Sequence, residues 1–247
     1  VLKVDAFSKK IFARSRRLRW RHIEREDCAL VIARGTFDQM HREKLMTWEN
    51  GNLIGEGLFC KVDGDDGVVI CHPHPQMGGS MYNNVVEALQ ILFANHRYST
   101  LRFNFRGVGG STGFYDEGKG ECKDVLAARA FLQKQGVKKI YLAGYSFGAW
   151  VISNVLKETY GLFEKAFMIS PPDKFVQFDW NGLENAVEAI VCGEADPFCD
   201  TQNLKKIAQK IHADFISLES VDHFYLSREK ELSRRLEPLV ERHIKKM

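Results

Sequence analysis

From about Lys44 onward, short apolar runs alternate with segments of helix length, and this alternation constrains the fold more than any other feature. The candidate strands are "LMTW" (45–48), "LIGEGLFCK" (53–61), "GVVICH" (67–72), "STLRFNF" (99–105), "KKIYLAG" (138–144), "KAFMIS" (165–170), "AIVCG" (189–193) and "DFISLE" (214–219). Between and after them, "NNVVEALQILFANH", "KDVLAARAFLQKQ", "QNLKKIAQKI" and "SREKELSRRLEPLVERHI" carry apolar residues every three or four positions, as the buried face of a helix requires. Such a chain predicts an α/β domain: a mainly parallel sheet with helices on both faces. The early strands are joined by "ENGN" and "DGDDG", which predict hairpin-type connections. The sheet is therefore expected to open antiparallel and turn parallel after "GVVICH". Residues 1–40 fit this plan least and read as a basic N-terminal extension, a hairpin or an arm. Residues 41–247 read as the main domain.

Charge and cysteine content narrow the setting. Residues 1–25 carry nine Lys or Arg against Asp5 and Glu24, a net of +7, which leaves −4 for the rest of a chain with a formal charge of +3. A basic arm can rest on nucleic acid or an anionic membrane surface. Here "RRLRWRHI" alternates Leu18 and Trp20 with arginines, as a strand with one wet face does, so a solvated extension is the expected role and no nucleic-acid partner is expected. No apolar run reaches the ~18 to 20 residues that span a bilayer, and no secretory signal is visible. The six cysteines (Cys28, Cys60, Cys71, Cys122, Cys192, Cys199) show no C-x-x-C spacing and read as reduced and structural, which predicts a cytoplasmic setting.

Chemistry concentrates at strand exits. "IYLAGYSFGAW" passes from an apolar strand through Gly144-Tyr145-Ser146-Phe147-Gly148 into a helix, the context of a nucleophile elbow. A side chain at Gly144 or Gly148 would collide with the adjacent strand or helix, and the strained turn lifts the Ser146 hydroxyl above the sheet. A serine needs a base, and the base needs an orienting carboxylate. Asp196 follows "AIVCG" and His223 follows "DFISLE", both at carboxyl ends of strands, where an open parallel sheet gathers its site. Glu194 and Asp200 are rival acids and His212 a rival base. Asp200 reads as a helix cap and His212 as a surface residue. Of the two oxyanion donors required, the Phe147 amide is one, and the loop "HPHPQMGG" supplies the other from Gln76 or, failing that, Met77. His72 and His74 are expected to hold this loop by hydrogen bonds. No further ligand set accompanies them, so neither metal nor cofactor is expected. "RGVGGSTG" lacks the Lys-Ser/Thr of a phosphate-binding loop, and Arg106 reads as a tether for it.

In this order "HPHPQMGGSMYNNVV", "LRFNFRGVGGSTGFYDEGKGECKD", "GYSFGAW", "GEADPF" and "DHF" resemble the α/β-hydrolase superfamily. They are most similar to its compact, lidless serine hydrolases, the branch of dienelactone hydrolases and acylaminoacyl-peptidase-type esterases. The resemblance runs from about Leu45 to the C-terminus. It implies the α/β-hydrolase fold with an eight-stranded, mostly parallel sheet, and the triad Ser146, Asp196 and His223. The nucleophile is Ser where true dienelactone hydrolases have Cys, and the basic extension is not part of the family core. "PPDKFVQFDWNGLENAVE" is too short for a separate cap domain. A shallow pocket is therefore expected, walled by Met77, Tyr82, Phe114, Trp180, Phe198 and Phe224 and suited to short or medium acyl groups. The expected activity is that of a carboxylesterase on a small-molecule ester. An acyl-peptidase or thioesterase would share the triad, and a non-catalytic binding protein on the same fold is the reading from a different class.

Overall fold

In the computed structural model, which describes residues 43–244, the predicted strands form one eight-stranded sheet. They are β1 (Lys44–Asn50), β2 (Leu53–Cys60), β3 (Asp66–Cys71), β4 (Ser99–Asn104), β5 (Lys139–Tyr145), β6 (Ala166–Ile169), β7 (Val187–Gly193) and β8 (Asp214–Leu218). Their spatial order is β1-β2-β4-β3-β5-β6-β7-β8. The pairs β1–β2 and β2–β4 are antiparallel, and every pair from β4–β3 to β7–β8 is parallel. The basic segment, Cys28 and the proposed boundary at residue 40 lie outside the described residues.

"ENGN" closes a hairpin, with Gly51 at φ 61° and Asn50 opposite Leu53. "DGDDG" does not, and the expectation of a second hairpin is corrected here: β4 lies between β2 and β3. A parallel neighbour of β3 must return through a crossover, and helix α1 (Asn84–Asn95) supplies it. β4 then takes the place beside β3 and pairs with β2 in the register Glu56 to Asn104 and Cys60 to Thr100.

Both faces of the central strands are apolar because both are covered. Val69, Cys71, Leu142, Met168 and Ile190 pack beneath α2 (Lys119–Lys134), α3 (Phe147–Glu158) and α4 (Thr201–Lys210). Val68, Ile70, Ala143, Phe167, Ile169 and Val191 pack beneath α1 and α5 (Glu229–Ile244). α2 begins four residues ahead of the expected "KDVL". Buried Glu121 causes this: its two carboxylate oxygens accept the Asp116 and Gly118 amides at 2.9 and 2.7 Å and so cap the first turn. Residues 170–186, between β6 and β7, contain no helix or strand and form no cap. Among the described residues no helix is long and apolar enough to cross a membrane. The loops after β3, β4, β5, β7 and β8 leave the sheet at one end.

Candidate active site

Ser146 occupies the turn between β5 and α3 with φ 56° and ψ −116°, a conformation that costs a non-glycine residue about 1–3 kcal/mol and clusters at functional sites. Two close approaches hold it there. A Cβ on Gly144 would lie 2.6 Å from the Gly148 carbonyl, and one on Gly148 would lie 2.4 Å from the Cys71 carbonyl oxygen, so only glycine fits at either position. The Ser146 amide donates to the Ile169 carbonyl at 2.8 Å, fastening the turn to β6.

His223 and Asp196 arrive from the loops after β8 and β7. His223 Nε2 lies 2.9 Å from Ser146 Oγ, and His223 Nδ1 lies 2.7 Å from Asp196 Oδ2. All three side chains are buried. The Asp196 Oδ1 oxygen accepts the Phe198 amide at 2.9 Å, and the Cys199 thiol lies 3.2 Å from Oδ2. Burial alone would raise the Asp196 carboxyl. The hydrogen bond and charge of His223, then hydrogen bonds from Ser170 and the Phe198 amide, hold it below its ordinary value. The Tyr145 hydroxyl donates to the His223 carbonyl at 2.5 Å, so the strand carrying the elbow also pins the loop carrying the base. The rivals fall away: Asp200 caps α4 through the Asn203 amide at 3.0 Å, and Glu194 and His212 are exposed.

The loop after β3 is built on its two histidines, as expected. His72 is fully buried; its Nδ1–H donates to the Pro73 carbonyl at 2.6 Å and its Nε2 accepts the Phe105 amide at 3.0 Å. His74 Nδ1 accepts the Gln76 amide at 3.2 Å, while its ring packs between Tyr115 and Phe147 with centroids 5.0 and 4.9 Å away. Burial lowers both imidazoles to about 4, which matches neutral rings that each offer one nitrogen as acceptor. The Phe147 amide opens α3, where the first N–H groups of a helix have no partner within it. The Gln76 amide is engaged by His74, and the Met77 amide by the His74 carbonyl at 3.0 Å. Both candidate donors of this loop are thus engaged within it. Arg106 is a tether: its amide and guanidinium bind Asp124 at 2.8 to 3.2 Å.

No family model matches the chain. It is 29% identical over 193 residues to an uncharacterized protein of Rickettsia prowazekii, covering 72% of this chain and 81% of that protein. An alpha-beta serine hydrolase homologue from Coxiella burnetii has a similar structure, with a TM-score of 0.72 and 29% identity, covering 79% of this chain and 96% of that one. The chain has the α/β-hydrolase fold. A lidless α/β serine hydrolase from Xanthomonas campestris shares the fold at a TM-score of 0.72 and 24% identity, with 82% of this chain and 95% of that one covered. These neighbours support a hydrolase.

Around the elbow, the predicted pocket residues part company. Phe198 and Phe224 flank His223, with ring centroids at 4.6 and 5.8 Å. Met77 is half-buried on the loop after β3. Tyr82 lies over the Arg102 guanidinium, 5.8 Å from the ring centroid, and Phe114 is 89% exposed on the loop after β4. Trp180 is misplaced in the prediction. It stacks on Phe178 beside Asp179, whose partner Lys157 lies eleven residues beyond Ser146, roughly 16 Å down α3 at 1.5 Å per residue. The loop carrying Trp180 runs down beside α3 and does not wall the site. The sequence reading missed Tyr115 and His74 as a second aromatic wall, and it missed Tyr145, Ser170 and Tyr225 behind the acid. Tyr145 adjoins the nucleophile and Tyr225 follows the base by two residues, which was the one signal available.

Proposed function

We propose that this chain is a serine hydrolase that cleaves carboxylic esters of short to medium acyl length through Ser146, His223 and Asp196. The observation that carries the proposal is the hydrogen-bonded chain from Asp196 to His223 to Ser146, at 2.7 and 2.9 Å. His223 Nε2 takes the Ser146 proton as Oγ bonds to the ester carbonyl carbon. The carbonyl π electrons move to oxygen, and the Phe147 amide, joined by Gln76, stabilises that oxyanion. As the carbonyl reforms, the C–O bond to the alcohol breaks and the His223 proton leaves with it. Water, deprotonated by the same imidazole, then releases the acid and restores Ser146. Asp196 keeps the ring in the tautomer with Nε2 free and balances the imidazolium.

The preference for shorter acyl groups rests on the absence of a cap between β6 and β7 and on the rings near the triad, Phe198 and Phe224 against His223 and His74 against Phe147 and Tyr115. The five cysteines among the described residues are all buried free thiols, which fits a reducing compartment. The test is a panel of p-nitrophenyl esters from acetate upward, with an acyl-CoA and an N-acyl peptide p-nitroanilide alongside, each run with wild type and Ser146→Ala. Turnover that peaks at short or medium esters and vanishes in the variant is expected. A stronger rate on the thioester or the peptide derivative would move the substrate class, and turnover unchanged in Ser146→Ala would overturn the mechanism.

A further inference from the structure

We infer that Phe175 is a specificity-determining residue: backed by Phe198, its ring holds the alcohol half of the ester and favours esters of aromatic alcohols. The inference rests on the ester cleavage by Ser146 proposed above and names the substrate class of that same site.

Phe175 lies on the irregular segment after β6, which is tied down at two places. The first is the loop of the acid. There the Lys174 amide donates to the Phe198 carbonyl at 3.2 Å, and the Asp173 carboxylate accepts the Asp200 amide at 2.7 Å and Asn203 Nδ2 at 2.9 Å. The second is the start of α3. Trp150, one turn beyond Ser146, donates its Nε1–H to the Gln177 carbonyl at 3.1 Å, and its ring lies 5.7 Å from that of Phe147. Phe175 and Val176 therefore bridge the acid loop and the first turn of the helix that follows the nucleophile. Pro171 and Pro172 stiffen the approach, and the Phe175 amide donates back to the Pro172 carbonyl at 2.9 Å.

This turn presents its ring to solvent beside the base. Phe175 is 43% exposed; Phe198, which it meets at 4.8 Å between centroids, is buried and packs on the His223 ring at 4.6 Å. The reaction decides which half of the ester comes to these rings. In the tetrahedral intermediate the former carbonyl carbon carries Ser146 Oγ, the oxyanion, the acyl chain and the alcohol oxygen. His223 Nε2 gives its proton to the alcohol oxygen as the C–O bond breaks and its electron pair passes to that oxygen. The alcohol oxygen must therefore lie about 2.6–3.2 Å from Nε2. The alcohol is thus the half that stands beside the imidazole and the rings flanking it. An aromatic group one or two bonds beyond this oxygen can enter the ring-to-ring range of about 4.5–7 Å, where edge and face contacts attract. An ethyl group offers no such contact. The acyl chain leaves the same carbon in another direction.

The experiment measures kcat/KM by acetate release at constant pH on benzyl acetate and ethyl acetate, whose alcohols are similarly basic and which pass through the same acetyl-enzyme. Wild type is compared with Phe175→Ala and Phe175→Tyr, with Ser146→Ala as the blank. Wild type is expected to prefer benzyl acetate, and Phe175→Ala to lower the benzyl-to-ethyl ratio about tenfold, the order of one lost aromatic contact with its buried area. Phe175→Tyr, which keeps the ring, should hold the ratio near wild type. The ratio of p-nitrophenyl butyrate to p-nitrophenyl acetate varies the acyl half alone and should be the same in Phe175→Ala as in wild type. Equal losses on both acetates would make the ring merely structural, and a changed acyl ratio with the alcohol ratio intact would put it on the other half of the substrate; either overturns the inference. Wild-type turnover no higher than the Ser146→Ala blank on every ester would instead remove the reaction reading, and the assignment of Phe175 with it.

Discussion

Single residues at this site are held by groups whose protonation is itself part of the fold. His72 is the clearest case, a neutral imidazole whose two nitrogens link the loop after β3 to the Phe105 amide. Its folded value of about 4 lies below its ordinary 6.5, so the unfolded chain binds the extra proton between those limits. The stabilising contribution is complete above pH 6.5 and is lost as pH falls towards 4. Between pH 7.5 and 5, about 2 kcal/mol should disappear for His72. Urea midpoints at the two pH values measure it, and His72→Asn should show a shallower dependence; parallel slopes for the two proteins would contradict the assignment. Ser146, Asp196 and His223 were legible beforehand because each follows an apolar strand, in an order that the chemistry of an activated serine demands. Ser170 and Tyr225 were not, since a pair of hydroxyls joined across 55 positions leaves no spacing to read.

At the scale of elements, the elbow is a packing solution as much as a chemical one. α3 crosses so close to β3 that Gly148 Cα faces the Cys71 carbonyl, and Gly144 faces Gly148 in turn. Gly148→Ala places a methyl group 2.4 Å from that oxygen, and overpacking of this kind costs about 1–3 kcal/mol. The expected outcome is a lower urea midpoint together with a slower rate of the proposed ester cleavage, because α3 can relieve the clash only by moving Ser146. A variant with wild-type stability and rate would contradict this account of the turn. The elbow was readable because glycine, serine and flanking apolar runs each imply the same geometry. The early start of α2 was not: it depends on Glu121 folding back onto the Asp116 and Gly118 amides, and Gly120 breaks the periodicity just where the helix begins.

For the whole molecule, strand and helix periodicity carried the eight strands and both covered faces, while the path of the connections was harder to read. "DGDDG" has the composition of a hairpin turn, yet β4 takes the place beside β3, because a crossover through α1 outcompetes a local pairing that the sequence alone favours. The length of the segment between β6 and β7 ruled out a cap, but its direction decided against Trp180: Lys157 and Asp179 draw it down along α3. What the architecture delivers is one sheet end where loops from β3, β5, β7 and β8 meet at Ser146. The most direct test of the central claim is labelling with a fluorophosphonate probe, followed by mapping of the modified peptide. The account predicts a single adduct on Ser146 that is absent in Ser146→Ala and strongly slowed in His223→Gln. Folded wild-type protein that takes up no probe, or carries it on another residue, would contradict the account.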